Sequence, residues 1–449
     1  MAPNFETFKK NAKALYKLNS ADKIEAMYPV SSGGIAEAVS KMALGNRVGC
    51  ALETIPASAT GVGIEKAASI EDLFTPQYGS IIVETAEDLE ANKDFAEGTV
   101  CRIGSTTAEE TITFDDAVIE LSEIESAWEA KLAKVYPPVS DKAEQPALPE
   151  WALKEHDSLV EARKTFNIVE PGKAKPLVVL PVFPGTNCEL DMQRAFNLAG
   201  ARTKLVPIRN KLPGQLEETL GNLEAELKNA QILALSGGFS AGDEPDGSAK
   251  FIVNVLRNKK IEDQVMDLLK NRDGLVLGIC NGFQALVKTG LAMYGEFRDM
   301  TGEMPTLTYN TIGRHISRIV RTRMVSAMSP WALDKSVLDP KTHMTAISHG
   351  EGRFVVDAAT AEKLFKNGQV FTQYVDEKGV PSICEPDNPN GSLFAIEGIT
   401  SPDGRVLGKM GHNERSVGIN ADGSSSDLFM NVGGDKNQNV FRAGVRYFK

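Results

Sequence analysis

The stretch GLVLGICNGFQALVKTG, residues 274–290, places one cysteine between two glycines at the centre of the chain's most regular pattern. The apolar run before the cysteine indicates the end of a buried strand, whereas Phe283, Leu286 and Val287 share the spacing of one helix face. Cys280 therefore lies at a sharp strand-to-helix turn. This is the nucleophile-elbow pattern G-x-S-x-G with sulfur in place of oxygen, and the positive end of the following helix favours a thiolate. A buried cysteine on an ordinary α/β turn is the alternative.

Composition limits the class of protein. The chain has 449 residues, enough for two or three domains, and a formal net charge of -11, which argues against a nucleic-acid binder. Its five scattered cysteines contain no C-x-x-C pair and indicate a reducing compartment rather than disulfides or a structural zinc site. The N-terminus lacks the apolar core of a signal peptide, and no apolar run is long enough to span a bilayer. We therefore expect a cytoplasmic protein with no membrane partner.

A proline-rich stretch divides the chain. Residues 137–173 contain five prolines, which exclude a long helix or a central strand, and we predict an inter-domain linker there with a short helix within 153–166. The part before it, 1–136, mixes short strand and helix patterns and is predicted to be a smaller α/β module. The part after it, 174–449, alternates apolar strands with helices and predicts a doubly wound, mostly parallel sheet.

Ligands of such sheets bind beyond the carboxyl ends of the strands. Three loops are predicted to lie at that edge: the Cys280 elbow, FPGTNCELD at 183–191 and SGGFSAGD at 236–243. Cys188, in the first of these other loops, lacks flanking glycines at the elbow spacing, so we do not expect a second nucleophile. Three loops on one edge favour a functional site over isolated turns.

A cysteine nucleophile needs a base and donors for an oxyanion. His412 follows an apolar strand-like run, and Glu414 lies two residues later, where an extended chain points both side chains the same way. We predict Cys280, His412 and Glu414 as a catalytic triad, with a surface-loop histidine as the alternative for His412. Candidate oxyanion donors are the backbone amides of Gly237, Gly238 and Asn281, although the glycine pair alone is also typical of a tight turn.

Together these motifs resemble a known family. GICNGFQ and MGHNERS match the elbow and the His-x-Glu pair of class I glutamine amidotransferases. FPGTNCELD, GGFSAGD, SHGEGRF at 348–354 and NPNGS at 388–392 look like the glutaminase domain of the phosphoribosylformylglycinamidine synthase family. The segment PVSSGGIAEAVSKMALGNRVGCAL is similar to the last synthetase half-domain of that family, within the aminoimidazole-ribonucleotide-synthetase superfamily. Ser32 stands where that superfamily usually has an acidic residue.

The resemblance implies a mechanism and partners. Cys280 would attack the amide carbon of glutamine, while Gln284 and the Ser348, His349 and Gly350 turn would bind the rest of it. His349 has a structural alternative, a hydrogen bond within its own turn. Ammonia would pass to a synthetase region, where ATP and Mg²⁺ convert formylglycinamide ribonucleotide. The chain itself is expected to hold no cofactor and no metal.

Other interpretations remain open at this point. A free-standing cysteine hydrolase of the γ-glutamyl hydrolase type shares the elbow, and a non-catalytic module could retain the fold. The family's ATP-handling domains have no counterpart in the motifs found, so we expect a C-terminal fragment, a truncated product or one subunit of a split enzyme.

Overall fold

The computed structural model describes residues 4–53, 70–135, 147–165, 175–240, 249–338, 341–416 and 438–448. The chain divides into two compact units, Met1–Pro138 and Val139–Lys449. The end of the predicted 236–243 loop and most prolines of the predicted linker lie outside the described residues. Within the described ranges, no helix has the length and apolar character needed to cross a membrane.

The first unit is a small α/β module built on short strands. Its two-stranded sheet pairs β1 (Ala26–Pro29) with β3 (Ile81–Glu84). Its other sheet has the order β4-β2-β5-β6, formed by β2 (Gly49–Leu52), β4 (Gly104–Thr107), β5 (Thr111–Phe114) and β6 (Ala117–Glu120). Helix α2 (Gly34–Asn46) requires glycine at its start, because a Cβ on Gly34 would lie 2.3 Å from the carbonyl oxygen of Leu73. The other described helices of this unit are α1 (Phe5–Asn19), α3 (Leu121–Ala130) and a 3₁₀-helix at Ile70–Phe74.

The second unit alternates helices and strands more regularly. Its described α-helices are α4 (Glu150–Leu153), α5 (Asp157–Thr165), α6 (Glu189–Leu198), α7 (Gln215–Leu227), α8 (Lys250–Leu256), α9 (Lys259–Lys270), α10 (Asn281–Lys288), α11 (Leu291–Tyr294), α12 (Lys335–Leu338), α13 (Ala358–Lys366) and α14 (Val440–Arg446). Its described strands are β7 (Leu177–Val182), β8 (Arg202–Pro207), β9 (Ile232–Leu235), β10 (Leu275–Ile279), β11 (Thr306–Thr308), β12 (Ile316–Met324), β13 (His343–His349), β14 (Arg353–Val355), β15 (Val370–Tyr374), β16 (Ile396–Thr400) and β17 (Val406–Lys409).

The large sheet is mixed, which corrects the prediction of a mostly parallel one. Its nine described strands have the order β13-β12-β15-β16-β17-β10-β9-β7-β8. The four pairings from β17 to β8 are parallel, whereas the four from β13 to β17 are antiparallel. The link from β16 to β17 spans only residues 401–405, which is too short for the crossover that parallel neighbours require. The α/β class is confirmed, but only the parallel part of the sheet, from β17 to β8, follows the doubly wound pattern.

The parallel strands form the centre of the core. Every residue of β9 and β10 is buried, as expected for strands covered on both faces by helices. Helix α10 buries seven of its eight residues, Asn281 to Val287, directly after the cysteine. The loops that follow β9 and β10 therefore start from fully buried strands.

The segment before β7 belongs to this second unit. Ala152 of α4 and Leu159 of α5 are fully buried and join its main hydrophobic core. Trp151 packs edge-on against Phe365, with ring centroids 5.3 Å apart. The described part of the predicted linker is thus two short helices that contribute to the core, and the second compact unit begins earlier than residue 174.

Candidate active site

Cys280 occupies the turn between β10 and α10. Its φ of 52° and ψ of -106° form a backbone conformation that non-glycine residues seldom adopt. The turn is fixed on one side by a hydrogen bond from the Cys280 amide to the carbonyl oxygen of Lys409, 2.9 Å long. The side chain is 5% exposed and lies at the N-terminus of α10, where the helix dipole favours negative charge. The predicted elbow is therefore present in the structure.

The glycine after the nucleophile is required by packing. A Cβ on Gly282 would lie 2.1 Å from the carbonyl oxygen of Leu235 in β9. Gly278 is similarly tight, because a Cβ there would lie 2.6 Å from Cδ1 of Leu286. The two glycines let α10 approach the sheet closely enough to hold the cysteine in its strained turn.

His412 and Glu414 form a buried pair. Nδ1 of His412 lies 2.6 Å from Oε1 of Glu414, and both residues are at most 1% exposed. Burial alone would lower the pKa of His412, but the Glu414 carboxylate and the Cys280 sulfur raise that pKa well above its usual value. Both groups therefore favour the charged, doubly protonated form of the ring. Because Nδ1 is bonded to Glu414, Nε2 is the nitrogen that can exchange a proton with sulfur.

Gly237 lies between the nucleophile and the histidine. A Cβ built on Gly237 would lie 2.6 Å from Cε1 of His412 and 3.4 Å from Cβ of Cys280. The structure thus brings together Cys280, His412, Glu414 and the glycine loop, by which we mean Gly237 and Gly238. These residues are separated by up to 177 positions in the sequence. A side chain at position 237 would occupy the space between the two reacting groups.

The predicted oxyanion loop is anchored by the 183–191 loop. The carbonyl oxygen of Gly237 accepts hydrogen bonds from the amides of Asn187 and Cys188, at 3.1 and 3.2 Å. The amide of Gly238 is trans to that carbonyl, so it points away from the 183–191 loop. Gly238 has a φ of 143°, and a Cβ there would lie 2.5 Å from the carbonyl oxygen of Gly185. Asn281, the third predicted donor, begins α10 next to the nucleophile.

The predicted glutamine-binding residues lie in α10 and at the end of β13, next to the Cys280 elbow. The carbonyl oxygen of Ser348 lies 3.9 Å from Sγ of Cys280. Gln284 donates from Nε2 to the carbonyl oxygen of Glu351 at 2.5 Å and accepts from Nδ2 of Asn281 at 2.8 Å. Its side chain therefore links α10 to the 348–352 turn, and this network also fixes the turn that passes the nucleophile.

His349 is internal. It is 2% exposed, its Nδ1 lies 3.1 Å from Oδ1 of Asn310, and burial lowers its pKa to about 3. A neutral ring must donate that hydrogen bond, because the amide oxygen can only accept. A Cβ on Gly352 would lie 2.2 Å from Cε1 of the ring, so the ring packs under the turn. This arrangement matches the structural alternative for His349.

Asn310 was not found by sequence reasoning. It is fully buried, and its side-chain Nδ2 donates to the carbonyl oxygen of His349 at 2.8 Å. Its backbone amide donates to the carbonyl oxygen of Gly350 at 2.9 Å. A second support comes from the NPNGS motif, where Asn390 donates to the carbonyl oxygen of Gly352 at 2.9 Å. A lone asparagine in a loop carries no pattern that would reveal such a contact.

Cys188 also lies beside the histidine. Its Sγ is 3.8 Å from Nδ1 of His412 and accepts from Nη2 of Arg415 at 3.2 Å. Cys188, His412 and Glu414 bring three atoms that could bind a metal within 4.8 Å of one another. However, Nδ1 of His412 is already hydrogen-bonded to Glu414, and the positively charged guanidinium of Arg415 donates a hydrogen bond to Sγ of Cys188. Both contacts oppose the binding of a metal cation by these three residues.

Two charged residues behind the site were also missed. Lys409 and Glu397 are buried in neighbouring strands, and their contacts reach the residues on either side of His412. The available signal was a lysine that ends the apolar run VLGK. It does not distinguish a buried cation from an exposed strand end.

Comparison with known proteins identifies the second unit's relatives. The model of the CobB/CobQ-like glutamine amidotransferase domain matches residues 175–448. The match begins after the first unit, so it does not test the half-domain prediction for 1–136.

Curated relatives cover the same region. The phosphoribosylformylglycinamidine synthase subunit PurQ of Methanococcus maripaludis is 34% identical over 251 residues, 55% of this chain and 84% of the relative. The corresponding subunit of Dehalococcoides mccartyi is 33% identical over 273 residues, 58% of this chain and 96% of the relative. Among solved structures, one described as PurLQS from Thermotoga maritima is 25% identical, covers 62% of this chain and 100% of its own, and has a TM-score of 0.42.

Proposed function

The chain belongs to the CobB/CobQ-like glutamine amidotransferase family, and we propose that Cys280 hydrolyses glutamine to supply ammonia for formylglycinamidine synthesis. The observation that carries this proposal is the strained elbow at Cys280 beside the buried His412–Glu414 pair. The resemblance to the synthase family agrees with the PurQ relative from Dehalococcoides mccartyi, 96% of which is covered by the match with this chain. The chain is therefore an amidotransferase enzyme of purine biosynthesis.

The residues divide the chemistry between them. Sulfur of Cys280 attacks the side-chain amide carbon of glutamine, and the amides of Gly238 and Asn281 stabilise the oxyanion. His412 transfers its proton to the departing ammonia, and Glu414 keeps the ring oriented and charged. Water then hydrolyses the thioester, with His412 as the base, and glutamate leaves. Each step uses a group that lies just beyond the carboxyl end of β9, β10 or β17.

The acceptor reaction belongs to a partner. The relatives are named as subunits of a synthase, which supports a synthetase partner for this chain. We place ATP, Mg²⁺ and formylglycinamide ribonucleotide at that partner's site and glutamine at Cys280. The synthetase-like assignment of residues 1–136, and a cytoplasmic location, stay predictions from the sequence.

Substitution of the nucleophile tests the proposal. Cys280→Ala should abolish glutamate release while leaving thermal unfolding unchanged, and Cys384→Ala, at an exposed cysteine, should retain full activity. Glutamate is measured with and without an added synthetase and its substrates. Normal glutamate release by Cys280→Ala would refute the assignment, whereas hydrolysis of γ-glutamyl peptides independent of any synthetase would favour the free-standing hydrolase.

A further inference from the structure

A buried ion pair lies behind the proposed catalytic histidine. Lys409 ends β17, Glu397 lies in β16, and both side chains are fully buried. Nζ of Lys409 is 3.6 Å from Oε2 of Glu397. Neither residue takes part in the mechanism above, so their charges need another explanation.

Glu397 holds the residue before His412. Its Oε1 accepts a hydrogen bond of 2.6 Å from the amide of Gly411, and its other oxygen accepts from the hydroxyl of Thr372. The close approach requires glycine, because a Cβ on Gly411 would lie 2.9 Å from the same Oε1 and 2.5 Å from Cγ2 of Thr345. The carboxylate is therefore directed at the backbone of the histidine segment.

Lys409 holds the residue after His412. Its Nζ donates to Oδ1 of Asn413 at 2.5 Å and to Oε1 of Gln438 at 2.7 Å. Its carbonyl oxygen accepts the 2.9 Å hydrogen bond from the amide of Cys280. One lysine thus contacts both the segment that carries the base and the turn that carries the nucleophile.

Buried charges are expensive to keep. Removing an ion from water costs several kcal/mol even when it is paired, and well-packed apolar residues of similar volume often replace a buried pair without loss of stability. Burial lowers the pKa of Lys409, and the Glu397 carboxylate opposes that effect. Lys409 and Glu397 contact the residues on both sides of His412, so the pair can fix the backbone geometry of residues 411–413.

We propose that Lys409 and Glu397 are positioning residues that set the orientation of His412 relative to Cys280. The inference rests on the proposed function, since it assigns His412 the role of acid and base. The pair acts through Gly411 and Asn413 and does not touch glutamine. Loss of either charge should therefore misplace the ring more than it weakens substrate binding.

The central test is a split between kcat and KM. Lys409→Met keeps the length of the side chain and removes its donors to Asn413 and Gln438. We expect kcat for glutamine hydrolysis to fall by roughly 10–100-fold, the scale of a misplacement of about 1 Å, with KM changed less than about threefold. The 449-residue chain is assayed with a synthetase and its substrates present.

Two further variants separate positioning from stability. Lys409→Met alone leaves the Glu397 carboxylate buried without its lysine and should lower thermal stability. Adding Glu397→Gln removes that charge and preserves an oxygen for the Gly411 amide. In the double variant thermal stability should therefore recover while kcat stays low. Asp334→Asn is the matched control, because it weakens the ion pairs of the buried Asp334 carboxylate with Arg442 and Arg446, which make no contact with the His412 segment among the described residues. It should lower Tm and leave kcat unchanged. Recovery of kcat together with Tm in the double variant would overturn the proposal.

A measurement that does not use glutamine tests the positioning role of Lys409 and Glu397 separately from the proposed glutaminase function. Alkylation of Cys280 by iodoacetamide, quantified on its peptide by mass spectrometry, depends on proton transfer between sulfur and His412. We expect the alkylation rate of Lys409→Met at neutral pH to be at least about threefold below that of the unsubstituted chain, and Asp334→Asn to match the unsubstituted rate. If the unsubstituted chain never hydrolyses glutamine, the proposed function fails, and the alkylation rates still decide the positioning role. Equal alkylation rates in the unsubstituted chain and all variants would overturn the positioning role of Lys409 and Glu397.

Discussion

Gly237 shows how much of the site depends on the absence of one side chain. It lies beside both the nucleophile and the base, and its carbonyl oxygen accepts hydrogen bonds from the amides of Asn187 and Cys188. Its φ is not in the left-handed region, so backbone freedom is not the reason for glycine here. The reason is the 2.6 Å approach that a Cβ would make to His412.

Gly237→Ala should therefore reduce catalysis with little loss of stability. We expect kcat to fall roughly 10²–10³-fold, as when an oxyanion donor is lost, because the methyl group displaces the His412 ring or the loop. Gly221→Ala is the matched control, since a Cβ at that position in α7 meets nothing within 4 Å. The control should be fully active and slightly more stable, by about 0.5–1 kcal/mol. An active Gly237→Ala would show that the loop is not part of the site.

Glu414→Gln should change the pH dependence of the reaction. The Glu414 carboxylate raises the pKa of His412, so its removal lowers that pKa. Protonated His412 stabilises the native state below its unfolded pKa of about 6.5, and this contribution is lost as pH rises through the native value. We expect the alkaline limb of kcat to move to lower pH and kcat to fall by up to about 10⁴-fold. Glu218→Gln, at an exposed ion pair, should leave the profile unchanged. An unmoved alkaline limb in Glu414→Gln would contradict the assigned role of the pair.

At the scale of elements, local pattern predicted the parallel half of the sheet and not the antiparallel half. Residues 174–290 alternate buried strands with amphipathic helices, and both periodicities are visible in the sequence. The elbow, the glycine loop and the 183–191 loop followed from that alternation. In the antiparallel half, β12 also makes contacts far along the chain, such as the hydrogen bond from Arg323 to the carbonyl oxygen of Leu153 in α4 at 2.8 Å. No short-range pattern contains that information.

The helices before β7 provide a test at this scale. Leu159 of α5 is fully buried in the second unit's core, whereas the next residue, Val160, is 40% exposed. Leu159→Ala should cost about 2–5 kcal/mol of unfolding free energy and Val160→Ala less than about 1 kcal/mol. Hydrogen exchange of β7 to β10 amides in urea measures the loss in this unit alone. Equal effects of the two substitutions would mean that the segment is a linker after all.

At the scale of the whole molecule, the motifs were more informative than the composition. Six ordered motifs predicted the family, and the matched region begins at 175, next to the predicted boundary at 174. Position 32 carries serine where the resemblance would have an acidic residue, and the carboxylate of Glu37 accepts a hydrogen bond of 2.9 Å from the Gly33 amide. Hydrogen bonds from Lys41, Ser31 and Gly33 lower the pKa of Glu37 to about 2. Sequence motifs identify residues in this way, but they do not identify what the assembled chain requires from a partner.

Partner dependence is the last expectation, and it concerns the chain as a unit. An amidotransferase that releases ammonia without an acceptor wastes glutamine, so we expect slow hydrolysis by the isolated chain. A synthetase that binds the active arrangement about tenfold more tightly than the inactive one shifts the population by about 1.4 kcal/mol and can raise kcat up to tenfold. The glycine loop is the element we expect to respond, because Gly238 has a φ of 143° that other residues rarely adopt. Glutamate release is measured for the chain alone, with a synthetase, and with the synthetase plus formylglycinamide ribonucleotide and ATP. The rate should rise most in the third condition, whereas equal rates in all three would exclude coupling and leave the assignment of Cys280 intact.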